Sequence, residues 1–282
     1  MAQRGSFDRD YLKQEFDKLD SITKRCIALF LIGGGAMAFY GLKVATKDID
    51  IILTNQEDLD ILQSTLGSMG YKEPNPIVIT RPYNEMQISA ILENRDGFRW
   101  DLFLAKVCGK LTLSAEMQKR ATSLYQGNKL KVMIASKEDL FLFKAITTRD
   151  ADLDDNRILA QSGLNWEIIA QECKSQSQQT GVCWEDVLLQ NLQDLKTKYG
   201  IEAPIENTLR KAAEQKIIKT VLLGQIAKGK NTVASIAQEI HQPESFVRIQ
   251  LERLLKEGVV TIDRTKKPYK FLMKSKSAQT II

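Results

Sequence analysis

Leu31-Ile-Gly-Gly-Gly-Ala-Met-Ala-Phe-Tyr-Gly-Leu-Lys-Val-Ala-Thr-Lys-Asp-Ile-Asp-Ile-Ile-Leu53 is the stretch from which the rest of the chain can be read. Ile27–Ile32, which leads into it, is a short apolar run stopped by Gly33-Gly34-Gly35, and it predicts a buried strand followed by a tight loop. Ala36–Gly41 predicts a short helix ended by glycine. Asp48–Leu53 alternates and then turns fully apolar, which predicts a second strand. Side chains two apart on a strand leave the same face, so Asp48 and Asp50 point together while Ile49 faces the other way. Two like charges side by side call for a compensating cation, and a hard ion such as Mg²⁺ suits carboxylates, with substrate phosphates completing its shell. The glycines upstream let a backbone approach a phosphate closely, and the helix after them offers oriented N–H donors. A phosphate cradle next to paired carboxylates is a design for phosphoryl or nucleotidyl transfer.

Working outward, Trp100-Asp101-Leu102-Phe103-Leu104 predicts a further strand over Arg99–Leu104. An acid at position 101 of that apolar strand is costly unless it is paired or metal-bound. If this strand adjoins Asp48–Leu53, Asp48, Asp50 and Asp101 together could hold two Mg²⁺. Trp100 and Phe103 read as core rather than as a base-stacking platform. Helices are predicted over residues 8–25, 57–69 and 114–121, and extended chain over 77–80, 86–92 and 129–134. From Ser136 the period becomes helical, with Ser136 as N-cap and Glu138 and Asp139 in the first turn. Helices continue to about Tyr199, broken by a polar loop at Gln176–Thr180, and Tyr199–Pro204 reads as a linker.

At this point the sequence resembles a family. Gly33-Gly34, thirteen residues, Asp48-Ile49-Asp50 and the later strand aspartate Asp101 resemble the DNA polymerase β-type nucleotidyltransferase superfamily. The wording around Gly33–Ala36 and Ala45–Asp50 is most similar to its AbiEii-type toxin and related archaeal branches. The resemblance runs on through Glu138-Asp139-Leu140, Lys144 and Arg149–Asp155, covering roughly residues 10–160. It implies an α+β nucleotidyltransferase fold, a mixed sheet flanked by helices, with a helical segment completing the nucleotide pocket. It implies Asp48, Asp50 and Asp101 as catalytic and metal-binding residues, with Mg²⁺ or Mn²⁺ as cofactor and an NTP as substrate. Gly33, Gly34, Lys43, Lys144, Arg149 and Asp152 become the nucleotide-binding set: Lys144 on triphosphate oxygens, Arg149 with Asp152 or Asp155 organising the pocket. The branch often carries Arg four residues before the first metal aspartate. Val44 stands there in this chain, with Lys43 beside it as the candidate substitute.

Composition narrows the alternatives. The chain has 282 residues, 43% hydrophobic and 27% charged, enough for two domains and inconsistent with global disorder. Its single histidine, His241, removes histidine-rich metal sites and lies far from the carboxylates. The four cysteines contain no Cys-x-x-Cys pair, so zinc is not expected. Cys26–Leu42 is uncharged, but with 17 residues and four glycines it is too short and too glycine-rich for a membrane span. With no secretory signal at the start, a cytoplasmic protein with reduced thiols is expected.

The charge is uneven. Residues 205–282 hold 15 Lys and Arg against 7 Asp and Glu, a net of +8, whereas residues 1–204 carry a net of −3. A basic end suggests a polyanionic partner. The pattern there predicts helices over 217–226, 232–240 and 244–257, then strands over 259–262 and 269–272 around a basic tip. That order resembles a winged helix domain. Its third helix would bury Val247, Leu251, Leu254 and Leu255. Ser245 and Arg248 would then face a nucleic-acid groove, with Arg264, Lys266 and Lys267 on the backbone.

The expected division is therefore 1–135 catalytic-type domain, 136–204 helical segment and 205–282 winged helix domain. The expected reaction moves a nucleoside monophosphate from an NTP to an acceptor hydroxyl, on tRNA, other nucleic acid or protein. A toxin role with an antitoxin partner, or a homodimer, follows from the branch. The opposing reading is a winged helix DNA-binding regulator whose nucleotidyltransferase-like body binds nucleotide without chemistry.

Overall fold

The computed structural model describes residues 5–74, 87–147 and 149–274. The chain divides into two compact units. One runs up to Gln176 and takes in Val187–Ile205; the other contains Ser177–Asp186 and the described residues from Glu206 onward.

The first unit is built on a mixed sheet. In chain order it contains α1 (Arg9–Ile22), β1 (Ile27–Ile32), α2 (Gly33–Phe39), β2 (Asp48–Leu53), α3 (Gln56–Ser68), β3 (Ala90–Glu93) and β4 (Arg99–Leu104). The hairpin β5 (Lys106–Val107) and β6 (Leu111–Thr112), α4 (Ala115–Arg120), β7 (Thr122–Gln126) and β8 (Leu130–Ile134) follow. Then come the helices α5 (Lys137–Thr147), α6 (Asp150–Gln161), α7 (Trp166–Thr180) and α8 (Trp184–Tyr199), of which the end of α7 and the start of α8, within Ser177–Asp186, belong to the other unit. The six-stranded sheet has the order β3-β4-β2-β1-β8-β7. β2 runs parallel to β4 and antiparallel to β1.

One sheet face is the apolar side of β1, β2 and β4, and α1, α2 and α3 pack on it. Leu31, Ile49 and Leu12 meet around Gly35, and Phe16 of α1 sits edge-on to Trp100 with centroids 6.2 Å apart. α1 begins where Asp8 accepts a hydrogen bond from Tyr11 N–H at 2.9 Å, and it buries Leu12, Phe16 and Leu19. The opposite face carries Asp50 and Phe103, which share a small hollow with Leu140, Phe143 and Lys144 of α5. α5 starts at Ser136, whose hydroxyl accepts from Asp139 N–H, and Asp139 is paired with Arg120 at 2.7 Å.

Several boundaries differ from the pattern-based expectation. Gly33-Gly34-Gly35 is not a loop before the helix but its first turn. Gln176–Thr180 is not a loop either and continues α7. Only part of its polarity points inward: the Gln176 side chain is fully buried and pairs with both the N–H and the C=O of Thr112, whereas Gln178 and Gln179 are exposed. β7 has no apolar signature because it is a largely exposed edge strand. The predicted strand at 77–80, and Met86, lie outside the described residues; within 86–92 the observed strand is β3, from Ala90. Among the described residues, no helix is long and apolar enough to cross a membrane.

The second unit contains α9 (Glu206–Ala227), α10 (Val233–Glu239), α11 (Glu244–Lys256) and the antiparallel pair β9 (Val260–Asp263) and β10 (Lys270–Met273). Leu222, Ile226, Ile236, Val247, Leu251, Leu254, Val260 and Phe271 form its core. α9 starts eleven residues before the expected Ile217, and its added turns bury Leu209 and Ala213 among mostly polar residues. Thr232 and Ser235 cap α10 reciprocally. Leu255 is only partly buried.

Candidate active site

The site begins at the turn between β1 and α2. Gly33 has φ 63°, and a β-carbon there would lie 1.9 Å from Asp50 Oδ2. The glycine is thus required twice, for its left-handed backbone and for the space its missing side chain leaves to the carboxylate. A β-carbon on Gly34 would lie 2.8 Å from Thr46 Oγ1 and 3.9 Å from Lys43 Nζ. Thr46 is fixed in turn: its hydroxyl donates to the Asp48 carbonyl at 2.8 Å, and its backbone exchanges two hydrogen bonds with Phe7. Residues 43–48 are thereby pressed against the glycine turn.

The carboxylates come from two neighbouring strands. Asp50 pairs in register with Asp101 and Asp48 with Arg99, so Asp48, Asp50 and Asp101 occupy one face. Asp101 is 1% exposed. Burial, then the adjacent Asp48, raise the Asp50 pKa from 3.8 to about 7, against the pull of Lys144 and Arg149.

The facing wall comes from α5, α6 and the loop after α2. Lys144 Nζ lies 3.1 Å from Asp152 Oδ1 and 2.7 Å from Asp155 Oδ2. Lys43 Nζ lies 2.6 Å from Asp155 Oδ1. Arg149 donates from Nε to Asp152 at 2.6 Å and from Nη2 at 3.1 Å, and the Thr147 hydroxyl donates to the same carboxylate. Burial pulls the Lys144 pKa down, but Asp152 and Asp155 outweigh it and the net shift is upward. For Asp152, burial acts to raise the pKa, and Lys144 and Arg149 prevail to lower it.

A cleft of about 600 Å³ unites these parts: Gly34, Lys43, Asp48, Asp50, Asp101, Lys144, Arg149, Asp152 and Asp155 all line it, and Gly33 lines the adjoining hollow. On the second unit, Ser245 and Arg248 lie exposed on α11, and Arg264, Lys266 and Lys267 lie exposed between β9 and β10. A larger hollow of about 880 Å³ lies at Tyr11, Glu15 and Tyr71. Its buried carboxylate, Glu15, is already bound by Tyr71 Oη at 2.5 Å and Lys18 Nζ at 2.8 Å.

Among the described residues, no three Asp, Glu, His or Cys side chains converge closely enough to hold a metal ion as they stand. The donor set nevertheless fits a hard divalent cation. It offers carboxylate oxygens on one face of adjacent strands, Gly33 leaves room beside Asp50 Oδ2, and burial, with Asp48 beside it, leaves the Asp50 carboxylate costly to ionise without a cation.

Reading the sequence missed Thr46 and Thr147, whose hydroxyls hold the site through hydrogen bonds that leave no sequence pattern. It also left the choice between Asp152 and Asp155 open, and both are engaged, each by a different pair of cations.

No curated protein matches the chain. A family model matches residues 10–200, a span that takes in the sheet, both walls of the cleft and every residue of the carboxylate and cation sets. The chain therefore belongs to the family described as nucleotidyltransferase of unknown function (DUF6036).

Proposed function

We propose that the first unit transfers a nucleoside monophosphate from an NTP to an acceptor hydroxyl, and that Asp48, Asp50 and Asp101 are its catalytic carboxylates. One observation carries this reading: Asp50 stands in register beside Asp101, on the face it shares with Asp48, in a cleft whose other wall is Lys43, Lys144 and Arg149. Acid on one side and base on the other is what a metal–triphosphate complex requires. Asp48, Asp50 and Asp101 would hold Mg²⁺ or Mn²⁺, which when bound supplies Lewis acidity at phosphate and lowers the pKa of the acceptor hydroxyl. Lys43, Lys144 and Arg149 would orient the triphosphate, Gly33 and Gly34 would admit it close to the backbone, and Asp152 would fix Arg149 and Lys144.

The second unit we read as a winged helix that binds nucleic acid, either a tRNA acceptor or DNA. Three helices and a hairpin in that order support the reading, as does the hydrogen bond from Phe271 N–H to Asn231 C=O that ties the hairpin back to the start of α10. Ser245 and Arg248 would meet the groove, and Arg264, Lys266 and Lys267 the phosphates. The division at residues 135 and 204, the cytoplasmic location, the AbiEii-like toxin role and an antitoxin or second copy as partner belong to the same proposal.

The test is to incubate the full chain with labelled NTPs, Mg²⁺ and total cellular RNA. Transfer to RNA or protein that disappears in both Asp48→Ala and Asp50→Ala supports the enzyme. Nucleotide binding and a DNA gel shift without any transfer would favour the non-catalytic regulator, a reading that the pairing of Lys43, Lys144 and Arg149 to internal carboxylates keeps in view.

A further inference from the structure

Asp152 and Asp155 sit one helical turn apart on α6, yet they are held differently. Asp152 is held by local partners: Lys144, Thr147 and Arg149, all within eight residues. Asp155 instead joins two distant elements. Lys43, 112 residues away on the loop pressed against Gly34, lies 2.6 Å from its Oδ1 and 2.8 Å from its Oδ2, and Lys144 of α5 lies 2.7 Å from the same Oδ2. One carboxylate therefore holds both ammoniums, sharing its Oδ2 between them, and both lysines line the cleft that also contains Asp48 and Asp50. The side chain of Lys43 is 31% exposed, so it is reachable from solvent.

Two ammoniums gathered at the mouth of a cleft repel one another and are costly to bring together without an anion between them. A carboxylate and a phosphate present the same thing to such a pair: oxygens sharing negative charge, at charge-assisted hydrogen-bond distance. We infer that Asp155 occupies the place of a polyphosphate, keeping Lys43 and Lys144 gathered while the cleft is empty and competing with the incoming ligand for them. Asp152 has no such role, because its partners hold the α5–α6 junction itself. The identity of the ligand as an NTP rests on the nucleotidyltransferase reading; the competition does not, since inorganic polyphosphate meets the same two lysines.

Competition has a sign that a purely structural ion pair lacks. Removing the charge of Asp155 while keeping its shape must tighten polyphosphate binding, because the ligand no longer breaks two ion pairs to enter. Titration calorimetry of the full chain with inorganic tripolyphosphate in EDTA measures this directly. Asp155→Asn is expected to bind about fivefold more tightly or better, and adding Lys43→Gln is expected to remove that gain. Lys43→Gln alone, on a partly exposed side chain, is expected to weaken binding about tenfold. Unchanged or weaker binding by a folded Asp155→Asn overturns the inference. If that variant fails to fold, unchanged binding by Lys43→Gln overturns it and weakened binding supports it. The two readings separate cleanly: tighter tripolyphosphate binding without nucleotide transfer in the wild type refutes only the transferase. Transfer by the wild type without that tightening refutes only the competition.

Discussion

Gly33 and Asp50 compete for the same space: a β-carbon on the glycine would lie 1.9 Å from Oδ2 and 2.6 Å from Cγ of the aspartate. Ile32, the residue before the glycine, is the register partner of Asp50, so the strand pairing itself brings the two together. Gly33→Ala therefore carries two penalties, a left-handed backbone of about 1–2 kcal/mol and displacement of a carboxylate. Calorimetric melting should show a clear loss of stability, and Mn²⁺ titration followed by electron spin resonance should show weakened metal binding. An unchanged Mn²⁺ affinity would separate Asp50 from the metal site.

The raised pKa of Asp50 makes a signed prediction about pH. In the metal-free protein the folded state keeps this proton up to about 7, whereas the unfolded chain releases it near the ordinary value of 3.8. Between those values the native state binds more protons, so stability falls as pH rises through the window and levels off above it. Asp50→Asn lacks this dependence. In EDTA, the melting temperature of the variant minus that of the wild type should grow from pH 4 to about pH 7 and then stay flat. Mg²⁺ competes with the same proton, so its affinity should climb over the same interval.

Among the described residues, Lys144 is the cation shared by Asp152 and Asp155 of α6. Lys144→Met leaves two nearly buried acids short of a partner, and about 3–5 kcal/mol of stability should be lost in urea denaturation. Lys144→Arg should not restore nucleotide binding, because a planar fork cannot take the place of a point charge held between Asp152 and Asp155. Full rescue by arginine would show that only the charge matters there.

On the second unit, Arg264, Lys266 and Lys267 stand exposed between β9 and β10. Replacing all three with alanine should weaken duplex binding in fluorescence anisotropy about equally across sequences and reduce the salt slope by about 3. Arg248→Ala should instead alter discrimination between sequences. Equal loss in both variants would argue that α11 does not read bases.

What could be read in advance was whatever leaves a periodic or positional trace. β1, β2 and β4 start and stop where alternation and apolar runs place them, and with them come Asp48, Asp50 and Asp101. β7 left none, since an exposed edge strand buries too little to select apolar residues. The polar run in α7 misled because glutamine inside a protein and glutamine in a loop spell the same letter; only the contact with Thr112 tells them apart. The bridging of Lys43 by Asp155 spans 112 residues and depends on how α6 lies along the cleft, which no local spacing encodes.

β2 is flanked by β1 on one side and β4 on the other, so the rail that carries Asp48 and Asp50 is hydrogen-bonded along both edges. The opposing cations stand on a loop and on the ends of two helices, joined to the rest of the cleft by ion pairs. The two walls therefore differ in how freely they can change over evolution. Under the proposed transferase reading, a change of donor or acceptor would fall on residues 43–47 and 144–155 and would leave the strand pairing of the acidic rail untouched.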